Sequence, residues 1–387
     1  MNPSRRGTPD FLLLIMTFAL IAFGLLMVYS ASSMSASINY QDSLHYIKRQ
    51  AIAVALGLIF MVFFMNLHYS KLKKWAVPLF ILVLGLLFLV PFIGVENKGA
   101  TSWFALGPLN LQPAEFAKLT LIIYLAALIH KKGERFYEFK KGLLPTLIII
   151  GLYCGLIMLQ PDFGSTVVLG LIAGLVILIG GANLKHFFSL SFCGILLASL
   201  VVLVPYLMDR NSFRSDRILA YINPWADQLG YGFHITQSLM AFGHGGIRGA
   251  GFGQSIQKLG FLPAPHNDFI FAIIGEELGF IGCTLFLLFY LLFLWRGILI
   301  SLRCKDSFGS LVGVSIMGMI GIQALINLGG VTNTIPLTGV TLPFISYGGS
   351  SVLVLMASIG IVLGLSREQN KDEAEPAQEA SRWKTEL

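Results

Sequence analysis

The chain has 387 residues, 55% of them hydrophobic and only 12% charged, with a mean hydropathy of +0.76. That balance excludes a soluble globule and indicates an integral membrane protein. The net charge of +7 is spread over short loops between apolar runs, which argues against nucleic-acid binding and for a topology signal.

The first apolar run, 11–32, follows Arg5 and Arg6 and precedes a string of small residues, as in a signal peptide. It is longer than an ordinary signal core and many spans follow, so it is read as an uncleaved first span. Further runs at 50–67, 75–95, 113–130, 143–160, 164–181, 187–208, 268–295, 309–330 and 348–366 predict an all-α polytopic membrane fold of about ten transmembrane helices. The sequence divides into a membrane domain, 1–366, and a polar, mobile tail, 367–387; residues 209–266 form a long loop outside the membrane. Cys154, Cys193, Cys283 and Cys304 lack CxxC spacing, which points away from a disulfide framework or a zinc site. There is no inverted repeat of the kind many transporters carry.

Basic loop residues set the orientation. Arg5, Arg6, Lys71, Lys73, Lys74, Lys131, Lys132, Arg135, Lys140, Lys141, Lys185, Arg296, Arg303 and Lys305 fall on one side, with the tail. The smaller set, Lys48, Arg49, Lys98, Arg210, Arg214, Arg217, Arg248 and Lys258, falls on the other. Both termini are therefore expected in the cytoplasm.

Several polar motifs interrupt the apolar pattern. Gln112-Pro-Ala-Glu-Phe-Ala-Lys118 opens span four. Pro113 suits a first helical turn, and Glu115 and Lys118, three apart, share a face and can pair; they are either a structural ion pair or a polar floor for a headgroup. Gln160-Pro-Asp-Phe-Gly164 makes a tight turn between spans five and six, where Asp162 is an N-cap, a site carboxylate, or both. In the long loop, 234–244 reads as a short amphipathic helix carrying Gln237 and Ser238, followed by glycines 243, 245, 246, 249, 251 and 253 with Arg248 and Lys258. Glycines and cations together suit either tight surface turns or a diphosphate. A metal at His234, His244 and His266 matches no standard spacing.

Three acids stand at and inside span eight. Asp268 is expected to begin that helix at the water–lipid boundary, with Glu276 about 12 Å deeper at ~1.5 Å rise per residue and Glu277 facing away from it. Acids in lipid mark function or a buried partner. Glu276 and Glu277 are expected to satisfy different neighbours, either protonated or bonded to polar groups on other spans, and Asp268 to remain within reach of a polar headgroup. Between spans nine and ten, 336–351 holds two prolines, three glycines and the hydroxyls of Ser346, Tyr347, Ser350 and Ser351. Backbone this irregular survives at membrane depth only where protein or a polar cavity covers it.

In their order these motifs resemble the SEDS family, the shape, elongation, division and sporulation proteins RodA, FtsW and SpoVE. The carriers are Val28-Tyr-Ser-Ala-Ser32, Gln112 to Lys118, Gln160 to Gly164, Gln237-Ser238 with the glycines, Leu262-Pro263, Asp268 to Ala272, Glu276 to Gly279, and Leu342 to Ser351. Asn223-Pro-Trp225 and Gln257-Lys258 lean toward the FtsW/SpoVE branch. Ala264, Asn267, Ala114 and Thr101-Ser102 depart from the common pattern, which bears on donor contacts and partner choice.

The resemblance implies a peptidoglycan glycosyltransferase of the bacterial cytoplasmic membrane. It would polymerise lipid II, an undecaprenyl-pyrophosphate-linked disaccharide-peptide, at the outer face. It would work with a class B penicillin-binding protein and other division or elongation membrane proteins. Asp268 matches the family's essential acid and would serve as general base. Arg214, Arg217, Arg248 and Lys258 are the cations available to the diphosphate, with a divalent cation (Mg or Mn) left open. Glu115, Lys118, Asp162, Gln237, Ser238, Ser346 and Tyr347 complete the expected substrate-binding set. A β-linked product from an α-linked donor implies one inverting displacement. The rival readings are a transporter for the lipid-linked precursor, with Glu115, Lys118, Glu276 and Glu277 along its path, and a non-catalytic scaffold for the penicillin-binding protein.

Overall fold

The computed structural model describes residues 7–97, 100–106, 109–189, 192, 194, 221–226, 230 and 232–385. Its helices are α1 (Phe11–Tyr40), α2 (His45–Met65), α3 (Tyr69–Ile93), α4 (Pro113–Lys132), α5 (Leu144–Met158), α6 (Phe163–Ile179), α7 (Gly232–Gly245), α8 (Ile270–Leu302), α9 (Ser307–Val331) and α10 (Gly349–Thr385). Among the described residues, eight helices are long and apolar enough to cross a membrane, and α6 is a shorter apolar helix. The fold is an all-α polytopic membrane bundle, as the apolar runs predict. The expected span 187–208 lies almost wholly outside the described residues.

Local signals start the helices where the sequence places them. Asp10 caps α1 by accepting from the Leu13 amide at 2.8 Å, Asp162 caps α6 through the Ser165 amide at 2.9 Å, and Asp306 caps α9 through Gly309. Pro113 occupies the first turn of α4. The amphipathic segment in the long loop is helix α7. Three short antiparallel strands, β1 (Val95–Asn97), β2 (Ala100–Leu106) and β3 (Leu109–Leu111), link α3 to α4. The sequence reading did not anticipate them.

Burial sorts the bundle. Within the membrane-length window of α10, 83% of residues are buried inside the protein, against 22% in α2, so α10 is central and α2 faces outward. α4 and α9 are central too. Both termini lie at one end: the Asp10 amide donates to Ser366 Oγ at 3.0 Å, and Arg367 donates to Gly7 O and Asn66 Oδ1. Arg296, from α8, pairs with Asp10 there. Burial pushes the Asp10 carboxyl up, but the Arg296 hydrogen bond and charge and the Leu13 amide outweigh it and hold it below the ordinary carboxylate value.

The polar segment after residue 366 continues α10, which runs on to Thr385. Its Glu, Lys, Ala, Gln and Arg content favours helix, so the polar segment continues the span without a break.

Candidate functional site

At the end opposite the termini, the segment 332–348 folds back into the bundle. Leu342, Phe344, Ile345 and Ser346 are buried. A Cβ at Gly24 of α1 would overlap the Phe344 carbonyl, and one at Gly164 of α6 would overlap the Thr338 carbonyl. Only glycine permits such approach. Side chains from other elements hold the segment. Gln50 of α2 donates to Ser346 O at 3.3 Å and accepts from the Gly348 amide at 3.1 Å. Asn327 of α9 donates to Val340 O at 2.7 Å. Protein covers this backbone over 342–346, while Thr334, Pro336 and Gly339 are exposed.

Asp268 sits against this segment, half-buried. It belongs to the turn 266–269 and precedes α8, which starts at Ile270. The helical-wheel placement of Asp268 relative to Glu276 is thereby corrected, because the chain between them is only partly helix. A Cβ at Gly339 would stand 3.9 Å from Asp268 Oδ2. The Asp268 carbonyl accepts from Asn327 Nδ2 at 2.7 Å, and the Tyr347 amide donates to His266 O at 2.9 Å. The rings of Tyr46, His266 and Tyr347 pack together beside it, Tyr46 and His266 with centroids 4.1 Å apart. Burial pushes the Tyr347 phenol up, against the charge of nearby Arg49, so it stays protonated as a donor at neutral pH.

Below that turn, α8 breaks. Gly279 has φ 67 and ψ −170, a conformation open to glycine. The glycine-rich segment takes up the backbone groups the break exposes. Ala250 and Gly251 amides donate to the Glu276 and Glu277 carbonyls at 2.9 and 3.0 Å, and Phe280 and Ile281 amides donate to Gly246 and Ile247 carbonyls at 2.9 and 3.2 Å. A Cβ at Gly245, Gly249 or Gly279 would overlap the facing backbone. These three glycines therefore serve a backbone-to-backbone junction. The amides at 250 and 251 are taken up by this junction and are not turned toward an anion.

The buried acids close on the same junction. Glu276, fully buried, accepts from Ser255 Oγ, from the Ile256 amide at 2.9 Å and from the Gln257 amide, and bonds His244 Nδ1 at 2.9 Å. Glu277 pairs with Lys258 Nζ at 2.8 Å, and Ser30 of α1 bridges both, its hydroxyl donating to Glu277 at 2.6 Å. The two acids have different neighbours, as expected. The shape of α8 explains why: successive helix residues are turned about 100° from one another, so Glu276 meets the turn at 255–257 and Glu277 meets Ser30 of α1 and Lys258.

Other predicted contacts also have internal occupations. Lys258 is 7% exposed and neutralised by Glu277, so it is a structural cation rather than an available one. Ser238 is buried and donates to Val331 O at 2.8 Å. Ser346 is buried and accepts from the Leu342 amide at 2.8 Å. Glu115 and Lys118 form a buried pair at 2.7 Å within α4, as their spacing predicts. Asp162 is the N-cap, and also accepts from Ser165 Oγ at 2.7 Å and, at 3.4 Å, from Gln112 Nε2. Gln237 is half-buried and Arg248 is exposed. Arg214 and Arg217 lie outside the described residues.

His234 packs on Phe269, His244 on Glu276 and His266 on Tyr46, so the three histidines do not converge. Among the described residues no three His, Cys, Asp or Glu side chains form a metal-ligand group. Sequence reasoning missed Gln50 and Asn327. A buried amide in an apolar run was the available signal for each. A separate cavity of about 370 Å³ lies between α1 and the turn after α7, lined by Tyr29, Ser30, Ser33, Phe252, Lys258 and Leu259 among others.

Against known proteins, the family model described as "Cell cycle protein", covering FtsW, RodA and SpoVE, matches residues 11–371. Stage V sporulation protein E of Bacillus subtilis is 44% identical over 367 residues, 94% of this chain and 98% of that protein. A probable peptidoglycan glycosyltransferase FtsW of Geobacter metallireducens is 39% identical, covering 92% of this chain and 94% of that one. Among solved structures, a chain from work described as "Structural coordination of polymerization and crosslinking by a peptidoglycan synthase complex" superposes with a TM-score of 0.75 at 29% identity, over 93% of this chain and 98% of that one. The crystal structure of the rod shape determining protein RodA of Thermus thermophilus gives 0.68 at 28%, over 93% and 97%.

Proposed function

This chain belongs to the FtsW/RodA/SpoVE family of cell cycle proteins, and we propose on that footing that it is a peptidoglycan glycosyltransferase polymerising lipid II at the outer face of the bacterial cytoplasmic membrane. Curated relatives bear that activity in their names. The single observation that carries the site assignment is the position of Asp268: a half-buried carboxylate in a turn, set against exposed Gly339 of the 332–348 segment and hung from α9. Glu115 is paired within α4, Asp162 caps α6, and Glu276 and Glu277 clamp α8 to the segment that follows α7.

Asp268 acts as general base. The acceptor sugar's 4-hydroxyl gives its proton to the carboxylate as its oxygen attacks the donor's anomeric carbon, and the carbon–oxygen bond to the lipid diphosphate breaks. A single displacement inverts that carbon, and a second carboxylate nucleophile has no part in it. The departing diphosphate needs positive charge. Arg248 supplies it from the exposed side of the glycine-rich turn, together with Arg214 and Arg217, while Lys258 is left out because Glu277 neutralises it. Gln237 and the Tyr347 phenol offer hydrogen bonds to the headgroup. The partner is a class B penicillin-binding protein, in line with the synthase complex that the structural neighbour comes from. The transporter reading loses support, since the four charged residues it would place along a path are all paired or bonded inside the protein.

The test is polymerisation of labelled lipid II by the purified chain with its partner. Wild type yields glycan strands, and Asp268→Ala yields none, a loss of about 10²–10⁴ in rate being typical of a general base. Undiminished strands from Asp268→Ala would refute the assignment. Lipid movement in liposomes without polymer would favour transport.

A further inference from the structure

Asn327 lies in the last turns of α9 and is 3% exposed. Its Nδ2 donates to two main-chain carbonyls, Asp268 O and Val340 O, each at 2.7 Å. A primary amide has two hydrogens on nitrogen, and both are used. The opposite flip would set an oxygen against two carbonyl oxygens, so the pattern fixes the amide's orientation. Its Oδ1 is buried and has no hydrogen-bond partner. Buried polar atoms are ordinarily satisfied, so this side chain is retained for its donors.

The two carbonyls it joins belong to different segments, the turn that carries Asp268 and the partly exposed stretch facing that turn. Gly339, directly before Val340, has φ 75 and is the residue whose Cβ would approach the Asp268 carboxylate. Asn327 therefore sets the gap between the carboxylate and the wall opposite it. No other residue type supplies two short, diverging N–H donors in so little volume: a hydroxyl has one hydrogen, a carboxylate none.

We infer that Asn327 is a positioning residue for polymerisation, holding the Asp268 turn and the 332–348 segment at the separation from which Asp268 reaches the acceptor hydroxyl. The inference rests on the reading of Asp268 as the base. Misplacement of a reacting group by about 1 Å lowers rate by about 10²-fold, and the diphosphate contact from Arg248, on the glycine-rich turn, is left intact.

The experiment uses the full chain with its penicillin-binding partner and labelled lipid II, with Asn327→Leu, Asn327→Ser, Asp268→Asn and the Asn327→Leu/Asp268→Asn double variant. Asn327→Leu keeps the volume and loses both donors; it is expected to lower kcat about 30- to 100-fold with KM within about twofold. In the double variant the Asn327 change adds less than about threefold to the Asp268→Asn loss, because a base that is absent cannot be misplaced. Asn327→Ser, with one donor, falls between, and it carries the test should Asn327→Leu not fold. Wild-type kcat in both Asn327 variants, a loss confined to KM, or a full Asn327 penalty on top of the Asp268→Asn loss overturns the inference. Full activity of Asp268→Asn alone removes the base reading first, and this inference with it.

Discussion

Lys258→Met discriminates between two roles for one cation. Lys258 is 7% exposed and Glu277 1%, the ion pair spans 2.8 Å, and Ser30 Oγ bonds both partners at 3.0 and 2.6 Å. Methionine matches the unbranched stem and fills the same space. Removing one partner of a buried pair leaves an uncompensated charge, a loss of about 3–5 kcal/mol. The serine hydroxyl continues to donate to Glu277, which favours the lower end of that range. Removing both charges, as in Lys258→Met/Glu277→Gln, is often close to neutral, so the double variant should recover most of the lost stability. Thermal unfolding in detergent, followed by intrinsic fluorescence, gives the order: wild type and double variant together, single variant well below. Polymerisation by the double variant separates the roles, and it should stay near the wild-type rate. A single variant as stable as wild type would refute the buried-pair reasoning. A stable double variant that fails to polymerise would return Lys258 to the diphosphate.

Other outcomes follow from the same geometry. Gly249→Ala should unfold or fail to insert, because its φ is 82 and a Cβ would overlap the Glu277 carbonyl, whereas Gly243→Ala, with open space around it, should be neutral or slightly stabilising in the helix; expression level and melting temperature of the pair check this. The Asp10 carboxyl is held below its ordinary value near ~3.9, so its pairing contributes fully above that value and is lost as pH falls through the lower folded-state value. Asp10→Asn should therefore be less stable than wild type at neutral pH, with the gap closing in strong acid. Gln50→Leu removes both the donor to Ser346 O and the acceptor for the Gly348 amide, and should destabilise by about 1–3 kcal/mol, read as a lowered melting temperature.

Much of the bundle was legible because lipid imposes one solution on apolar runs. Each run near 20 residues had to be a helix, and Asp162 and Pro113 marked two of the starts. The break in α8 was not legible. Gly279 sits in an apolar run where a glycine is tolerated in any helix, and only the facing glycines, about 30 residues earlier in the chain, give it meaning. Pairings of that range have no local signature. The same holds for Lys258. Its charge and its neighbours in sequence suggested an available cation, while its partner, Glu277, is 19 positions away on another element. Glu115–Lys118 was legible as a pair because both lie on one helix face.

The strength of the Asp268 assignment comes from how the surrounding polar residues are used. A membrane bundle keeps an ionisable group where it either binds a partner or acts. Glu276 fastens the glycine-rich turn to α8, and Glu277 with Lys258 fastens the same turn to α1, so the junction at Gly279 is held from two sides. The short helical stretch 270–278 is thereby fixed at its lower end. Its upper end is the Asp268 turn, fixed in its turn by Asn327 and by the Tyr347 amide on His266. A carboxylate meant only to be tolerated would not need its supporting main chain restrained at both ends. Restraint of that kind is what a general base requires, since its rate advantage depends on geometry held to within about an ångström.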